Sequence, residues 1–412
     1  MPPKGPITST TEGTPPAGLT HLAVGGYRSL QQLTLPLGDL TLVCGANGCG
    51  KSNLYRSLGL ISAAARGDLV AALAAEGGLP AVFWAGPRRS QAALLQGVPP
   101  RQERHLQGNA QREAARLRLG FTGARLSYAI ELGYRADDQT SAFLLDPEIK
   151  REWIWAGGPF HPRSLLVQRM GAVVERCGDG GADGRAMPLA LEVSPHESLF
   201  TAVSDPLEAP EVFQLRQSIL SWRFYDSFRT DRQAPARTGR IATRTPSLAA
   251  DGGDLAAAVQ TILETGDRDG LQGAIADAFP GCRLTVDTSQ PSFRVQLHQS
   301  GLLRPLDAAE LSDGTLRYLL LATALFSPRL PPLLVLNEPE SSLHPDLLAP
   351  LARLIAAVAE RTQVWVVAHA EELITALAAT PACQLLRLER TLGATVLPGQ
   401  TVLERAAWRW PA

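Results

Sequence analysis

Between Leu40 and Ser57 the chain reads LTLVCGANGCGKSNLYRS, and these residue types suit one task, the holding of a phosphate chain. Gly45-Ala46-Asn47-Gly48-Cys49-Gly50-Lys51-Ser52 is a G-x-x-x-x-G-K-[ST] loop. An apolar, β-prone run (Leu40, Leu42, Val43) precedes it and a helix-permissive segment follows from Asn53, the context a P-loop requires. Glycines 45, 48 and 50 let the backbone curl so that its N–H groups converge on phosphate oxygens. Lys51 brings a compact positive charge toward the β- and γ-phosphates, and the Ser52 hydroxyl can ligate Mg²⁺. The helix that follows points its positive end at the same place. Lysine otherwise occurs only at positions 4 and 150, every other basic residue being Arg, so its use in this loop is selective.

Four further stretches with chemical potential lie far downstream. Leu311-Ser312-Asp313-Gly314-Thr315 opens a helix, with Ser312 as its expected N-cap and the free N–H groups of the first turn as an anion site. Leu333-Leu334-Val335-Leu336-Asn337-Glu338 is an apolar strand ending in polar residues, which buried strands deliver to the carboxyl edge of a sheet. Glu340-Ser341-Ser342-Leu343-His344-Pro345 is a turn before the next helix. Trp365-Val366-Val367-Ala368-His369 is a second buried strand tipped by a histidine.

The elements that must position these residues can be sketched in order. Residues 1–18 are rich in Pro, Gly, Ser and Thr without periodicity and read as a disordered tail. Strands are expected at His21–Val24, Leu33–Leu35 and Leu40–Val43, as an antiparallel edge sheet, and helices at 53–66 and 68–75. Residues 86–115 are polar and Arg/Gln-rich, a loop or insert, and 178–185 are another exposed loop. Between these loops, alternation predicts a meander over Arg116–Leu119, Ala124–Leu132, Ala142–Leu145, Glu152–Trp155 and Leu165–Gln168. Val212, Leu215, Ile219 and Trp222 fall at helical spacing within 208–222; helices Leu255–Glu264 and Arg268–Phe279 and a hairpin (Arg283–Val286, Ser292–Leu297) follow. From Thr315 the order is helix, strand, helix, strand, helix, and two last strands at 384–389 and 394–397, implying a parallel sheet with right-handed crossovers. The resulting division is a tail (1–18), an N-terminal lobe with the P-loop and a β subdomain (19–170), an insertion (171–300) and a C-terminal lobe (301–412).

Composition sets the limits. The 412 residues are 45% hydrophobic and 19% charged, enough for a sizeable core, with a net charge of −1 that gives no global attraction to nucleic acid or acidic membrane. Cys44, Cys49, Cys177, Cys282 and Cys383 are odd in number and lack companion ligands, so a metal cluster is not expected and a reducing, cytoplasmic setting is. No apolar run reaches membrane-spanning length.

The order P-loop, signature, Walker B strand, D-loop and switch histidine resembles that of the ATP-binding-cassette (ABC) ATPases. About 260 residues separate Ser52 from Ser312, far more than in transporter cassettes. With that spacing, LSDGT, EPESSLHP and Gly26-Tyr27-Arg28-Ser29-Leu30 resemble the SMC/RecF/OLD-like branch. The motifs cover residues 20–60 and 300–375, and Trp222–Arg229 also looks like this subgroup. The absence of sustained heptads argues against a long coiled-coil arm, and the roughly 40 residues after His369 against an appended nuclease domain.

This resemblance implies an α/β fold with a mixed or parallel core sheet, an antiparallel N-terminal β subdomain and a helical/β insertion. It implies ATP and Mg²⁺ as cofactors, with Gly45–Asn53 binding ATP and Arg28 on its adenine side, a surface arginine being the alternative. Leu311, Ser312, Asp313 and Gly314 would meet the γ-phosphate of a second copy in a nucleotide-dependent head-to-tail homodimer. Glu338 would direct the attacking water, and His369 would sense the γ-phosphate. Asn337 departs from the pattern, which usually has Asp here; an amide can reach Mg²⁺ only through water and without charge, so slow turnover is expected. The residue of the Q-loop is unassigned, Gln168 and His196-Glu197-Ser198 being candidates. The Arg-rich stretch 229–244 reads equally as a DNA-backbone track or as a solvated loop beside the nucleotide. The functions implied are an ATP hydrolase in DNA repair, maintenance or defence, or a nucleotide-binding scaffold that regulates an effector protein.

Overall fold

The structure is a computed structural model and describes residues 18–86, 115–135, 142–143, 145–177, 186–190, 192–203, 205–400 and 408–411. The expected tail and the expected loops at 86–115 and 178–185 lie outside these residues, but for Gly18, Gly86 and Ala115.

The first two expected strands lengthen into β1 (Leu19–Tyr27) and β2 (Leu30–Pro36), and the third becomes β3 (Leu40–Gly45). β1 and β2 do not form a separate edge sheet. They join the meander β4 (Arg116–Gly123), β5 (Leu126–Tyr134), β6 (Pro147–Ala156), β7 (Leu165–Met170), β8 (Val173–Arg176) and β9 (Met187–Ala190). The result is one antiparallel eight-stranded sheet in the order β2-β1-β4-β5-β6-β7-β8-β9. Of the strand expected at Ala142–Leu145, the described residues Ala142, Phe143 and Leu145 are not in a strand. Phe143 accepts a turn bond from the Asp146 amide at 3.3 Å, just before Pro147 opens β6. Phe143 and Leu145 are solvent-exposed, so their alternation reflected no buried face.

Next come β10 (Arg223–Tyr225) and a small sheet of β11 (Arg240–Ile241), β12 (Cys282–Asp287), β13 (Ser292–Gln299) and β14 (Leu306–Asp307). The chain ends with β15 (Leu333–Asn337), β16 (Gln363–Val367), β17 (Cys383–Thr391) and β18 (Ala394–Val396). The core sheet runs β10-β15-β16-β3-β17-β18, parallel except for the β17–β18 hairpin. β15, β16 and β3, which lead into Glu338, His369 and the Gly45–Ser52 loop, are thus neighbours in a parallel arrangement, the parallel sheet that the strand–helix order implied.

Both faces of this sheet are covered, which explains the near-continuous apolar runs of its strands. Val43, Val335 and Trp365 face one core, shared with Leu54, Leu58 and Ile61 of the P-loop helix (Lys51–Arg66) and with the eight-stranded sheet. Leu42, Cys44, Leu334, Leu336 and Val366 face the other. There they meet Leu316, Leu319 and Leu320 of the signature helix (Asp313–Leu325) and the helices Leu255–Thr265 and Leu348–Ala359. The P-loop helix and the signature helix therefore occupy opposite faces of one sheet.

The eight-stranded sheet contains a buried ion pair. Glu152 and Arg169 are cross-strand partners, both fully buried, with a 3.3 Å contact. Glu152 also accepts from the Tyr128 hydroxyl (2.7 Å), the Ser198 hydroxyl (2.6 Å) and the Leu199 amide (2.8 Å). Arg169 donates to the carbonyls of Gly171, Ser194 and Glu197, tying the 194–199 segment to the sheet. Arg169→Ala would strand the Glu152 carboxylate and should cost about 3–5 kcal/mol of stability. Urea unfolding reads this directly; a loss under about 1 kcal/mol would mean the carboxylate finds other compensation.

Candidate functional site

The phosphate loop is shaped by close approaches that only glycine permits. Gly45 (φ 143°) lies where a Cβ would come 2.3 Å from the Leu388 carbonyl oxygen. At Gly50 (φ 112°) a Cβ would come 2.1 Å from the Thr395 hydroxyl. Lys51 is 4% exposed, and its ammonium donates to the carbonyls of Gly45 (2.5 Å) and Ala46 (3.0 Å), inside the loop it serves. Cys49 is buried beside it as a packing residue, while Ala46, Asn47, Gly48 and Ser52 are exposed and Gly45 is half-buried. No side chain caps the P-loop helix, which leaves its positive end open to an anion.

A brace that sequence reading missed holds this loop from behind. The Thr395 hydroxyl donates to the Cys49 carbonyl (2.6 Å) and lies 2.7 Å from the Ser29 hydroxyl, while the Thr395 amide donates to the Ser29 carbonyl (2.8 Å). Asn53 donates to the same Ser29 hydroxyl at 2.9 Å. Arg28 (φ 48°) turns to Glu76, with a 2.8 Å ion pair that the Tyr27 hydroxyl shares at 2.5 Å. The acid that holds Arg28 had no signal in the sequence.

At the carboxyl edge of the sheet, the ends of β15 and β16 come together. The Glu338 carboxylate lies 3.1 Å from His369 Nε2, both side chains partly exposed. Glu338 sits at φ 48°, held by three backbone contacts: its amide donates to the Val367 carbonyl (2.8 Å), and its carbonyl accepts from Ser341 N (3.0 Å) and Arg317 (2.9 Å). Glu340 accepts from the amides of His369 and Ala370 and so fixes the loop that follows β16. Asn337 donates its amide N–H to Asp226 at 2.5 Å, and its Oδ1 is buried without a partner among the described residues. Arg317, reaching over from the signature helix, is buried beside these groups. Burial pulls its pKa down, and the carboxylates of Glu340, Asp226 and Glu338 oppose that shift.

Ser312 is the N-cap expected of it, its hydroxyl accepting from the Thr315 amide at 3.1 Å. A Cβ on Gly314 would come 2.9 Å from the Ser342 carbonyl, so signature and D-loop touch. Arg237 clamps this loop through the Leu311 (2.7 Å) and Ala308 (2.9 Å) carbonyls and a 2.7 Å ion pair to Asp313. Within 229–244, Arg229 pairs with Asp231 and Arg244 with Glu264. Three of the stretch's five arginines are thus engaged by acids of the same chain. Gln168 and the 196–198 stretch lie with the eight-stranded sheet. Gln168 donates to Glu175, and Ser198 belongs to the buried Glu152 cluster.

Comparison with known proteins bears on the fold. A family model described as "AAA domain, putative AbiEii toxin, Type IV TA system" matches residues 188–374. Among solved structures, an SMC head bound to the C-winged helix domain of ScpA superposes with a TM-score of 0.50 at 12% identity, covering 94% of this chain and 99% of that one. The SMC head domain from Thermotoga maritima gives 0.46 at 14% identity, covering 93% and 100%. No curated protein matches the sequence. The fold is that of the ABC-class, SMC-head-like P-loop ATPases.

Proposed function

We propose that this chain binds ATP and, with a second copy of itself, hydrolyses it slowly as a dimerisation switch. The observation that carries the reading is the Glu338–His369 pair, at the ends of β15 and β16, the two strands next to β3 and its P-loop in the core sheet. ATP would lie on Gly45–Asn53, with Lys51 leaving its loop carbonyls for the phosphates. Arg28 would reach the adenine side only by giving up Glu76. The Ser52 hydroxyl and, through water, Asn337 would hold Mg²⁺, which supplies charge neutralisation of the phosphates. The partnerless Oδ1 of Asn337 and the exposed Ser52 fit such an ion. Glu338 takes the proton of the attacking water, and His369 orients the terminal phosphate.

The signature Leu311–Gly314 is assigned to the partner's nucleotide because its helix lies across the sheet from the P-loop helix. Homodimerisation follows from this need. The family description, with its toxin and TA system, supports a role in defence, and the ScpA-bound head supports an effector protein as partner. DNA is the less favoured partner, since acids neutralise much of 229–244.

Single-turnover hydrolysis with excess protein over ATP tests the reading. Slow phosphate release is expected; none, with or without DNA, would leave the second reading, a nucleotide-binding scaffold, which the neutral Asn337 favours. DNA binding, if present, should fall steeply as salt rises, and affinity unchanged from low to high salt would remove DNA from the partners.

A further inference from the structure

β15 ends in an amide where a metal–phosphate site calls for a carboxylate, and a carboxylate stands directly beside it. We propose that Asp226 supplies the negative charge that Asn337 lacks, serving the Mg²⁺ of bound ATP through its water shell, with Asn337 as the partner that fixes it in place. The proposal rests on the ATP-binding reading above.

Register puts Asp226 there. β10 pairs with β15 in parallel, Tyr225 opposite Leu336, so the next residue on each strand, Asp226 and Asn337, leave the sheet side by side. Their 2.5 Å hydrogen bond joins residues 111 positions apart. The same strand touches the P-loop helix, where Tyr55 packs edge-on against Phe224 with ring centroids 5.9 Å apart. Tyr55 lies one helical turn after Ser52 and on the same face. Asp226 is close enough to Tyr55 for its charge to oppose ionisation of the phenol, which burial already pushes well up. The end of β10 thus lies directly beside the end of β15, and through Phe224 the same strand reaches the helix that carries Ser52.

The bonding pattern suits a shared role. An ionised carboxylate has about four acceptor positions on its two oxygens. Among the described residues Asp226 takes one side-chain hydrogen bond, from Asn337, and is otherwise exposed. The bond commits the Asn337 N–H to Asp226, which leaves Oδ1 as the acceptor, buried and without a partner among the described residues. A carboxylate and an orphaned amide oxygen together provide the charge and the acceptor that one Asp would supply alone. The buried guanidinium of Arg317, its Nε unpartnered among the described residues, lies close enough to Glu340, Asp226 and Glu338 to feel their charges.

Calorimetric titration of the full chain with ATP, in MgCl₂ and separately in EDTA, tests this. Electron paramagnetic resonance of Mn²⁺ with ATP gives an independent reading of the metal. Asp226→Asn should weaken the Mg²⁺-dependent affinity about 10- to 100-fold and leave affinity in EDTA within about twofold. The exchange Asp226→Asn with Asn337→Asp should return the Mg²⁺-dependent affinity to within about threefold of the wild type. Thermal melts establish that each variant is folded. An Asp226→Asn protein with unchanged Mg²⁺-dependent binding, or a folded exchange variant that recovers nothing, overturns the proposal alone. A wild type that binds ATP equally in both buffers also overturns it. A wild type that binds ATP in neither overturns the ATP-binding reading and the proposal with it.

Discussion

Glu338→Gln should abolish single-turnover hydrolysis, slowing it about 10²–10⁴-fold, the range a positioned general base contributes. ATP binding should change by no more than about twofold, because the γ-carboxyl touches His369 and not the phosphate loop. The fold should survive. Glu338 occupies a left-handed backbone conformation that costs roughly 1–2 kcal/mol in a non-glycine residue. The contacts that compensate for it run to Val367, Ser341 and Arg317 through the main chain, which Gln leaves intact. Glutamine is also close to isosteric and can still hydrogen-bond His369. A variant that no longer turns over should hold ATP, and light scattering should show its mass doubled in ATP and single in ADP. Hydrolysis at the wild-type rate would remove Glu338 from the chemistry. A mass indifferent to nucleotide would remove the switch.

How much of this was readable beforehand depended on how local the information was. The P-loop, the ends of β15 and β16 and the Ser312 cap each lie within a few residues that carry their own pattern: an apolar run, then small or polar residues. Their neighbourhood in space followed from the alternation of strand and helix, which leaves little freedom in a parallel sheet. Asp226 lies in the Trp222–Arg229 phrase, but nothing in that phrase points to Asn337 as its partner. Its strand has three residues, and its partner strand begins more than a hundred residues later, so only pairing register reveals it. The Ser29–Thr395 brace spans 366 positions between polar residues with nothing local to mark them. Arg237 was visible as an arginine, but the same residue reads as a nucleic-acid contact or as a clamp until its carbonyl partners are known. Where sequence reading failed outright, at Ala142–Leu145, apolar residues alternated in a turn that buries neither Phe143 nor Leu145. Burial is a property of the whole fold, and alternation alone does not create it.

Mixing two inactive variants should restore hydrolysis if the site is shared between copies. Lys51→Ala removes the ammonium from the phosphate loop, and Ser312→Arg blocks the signature with a bulky side chain where the cap hydroxyl now stands. In a symmetric head-to-tail dimer each site takes its P-loop from one copy and its signature from the other. Either variant alone carries a lesion in both sites, so each should fall to background. In the mixed dimer the two lesions collect in one site, and the second site combines an unmodified P-loop with an unmodified signature. At equal amounts and random pairing, half the dimers are mixed and each has one working site, giving at most about one quarter of wild-type activity. A site built within one chain predicts no recovery at any ratio. The placement of the two helices on opposite faces of the core sheet favours recovery, because a signature that caps its helix beyond Leu42, Leu334 and Val366 is separated by that sheet from Leu54 and Leu58 of the P-loop helix. Ser312→Arg alone should still bind ATP as a monomer, which distinguishes a lost partner surface from a lost fold.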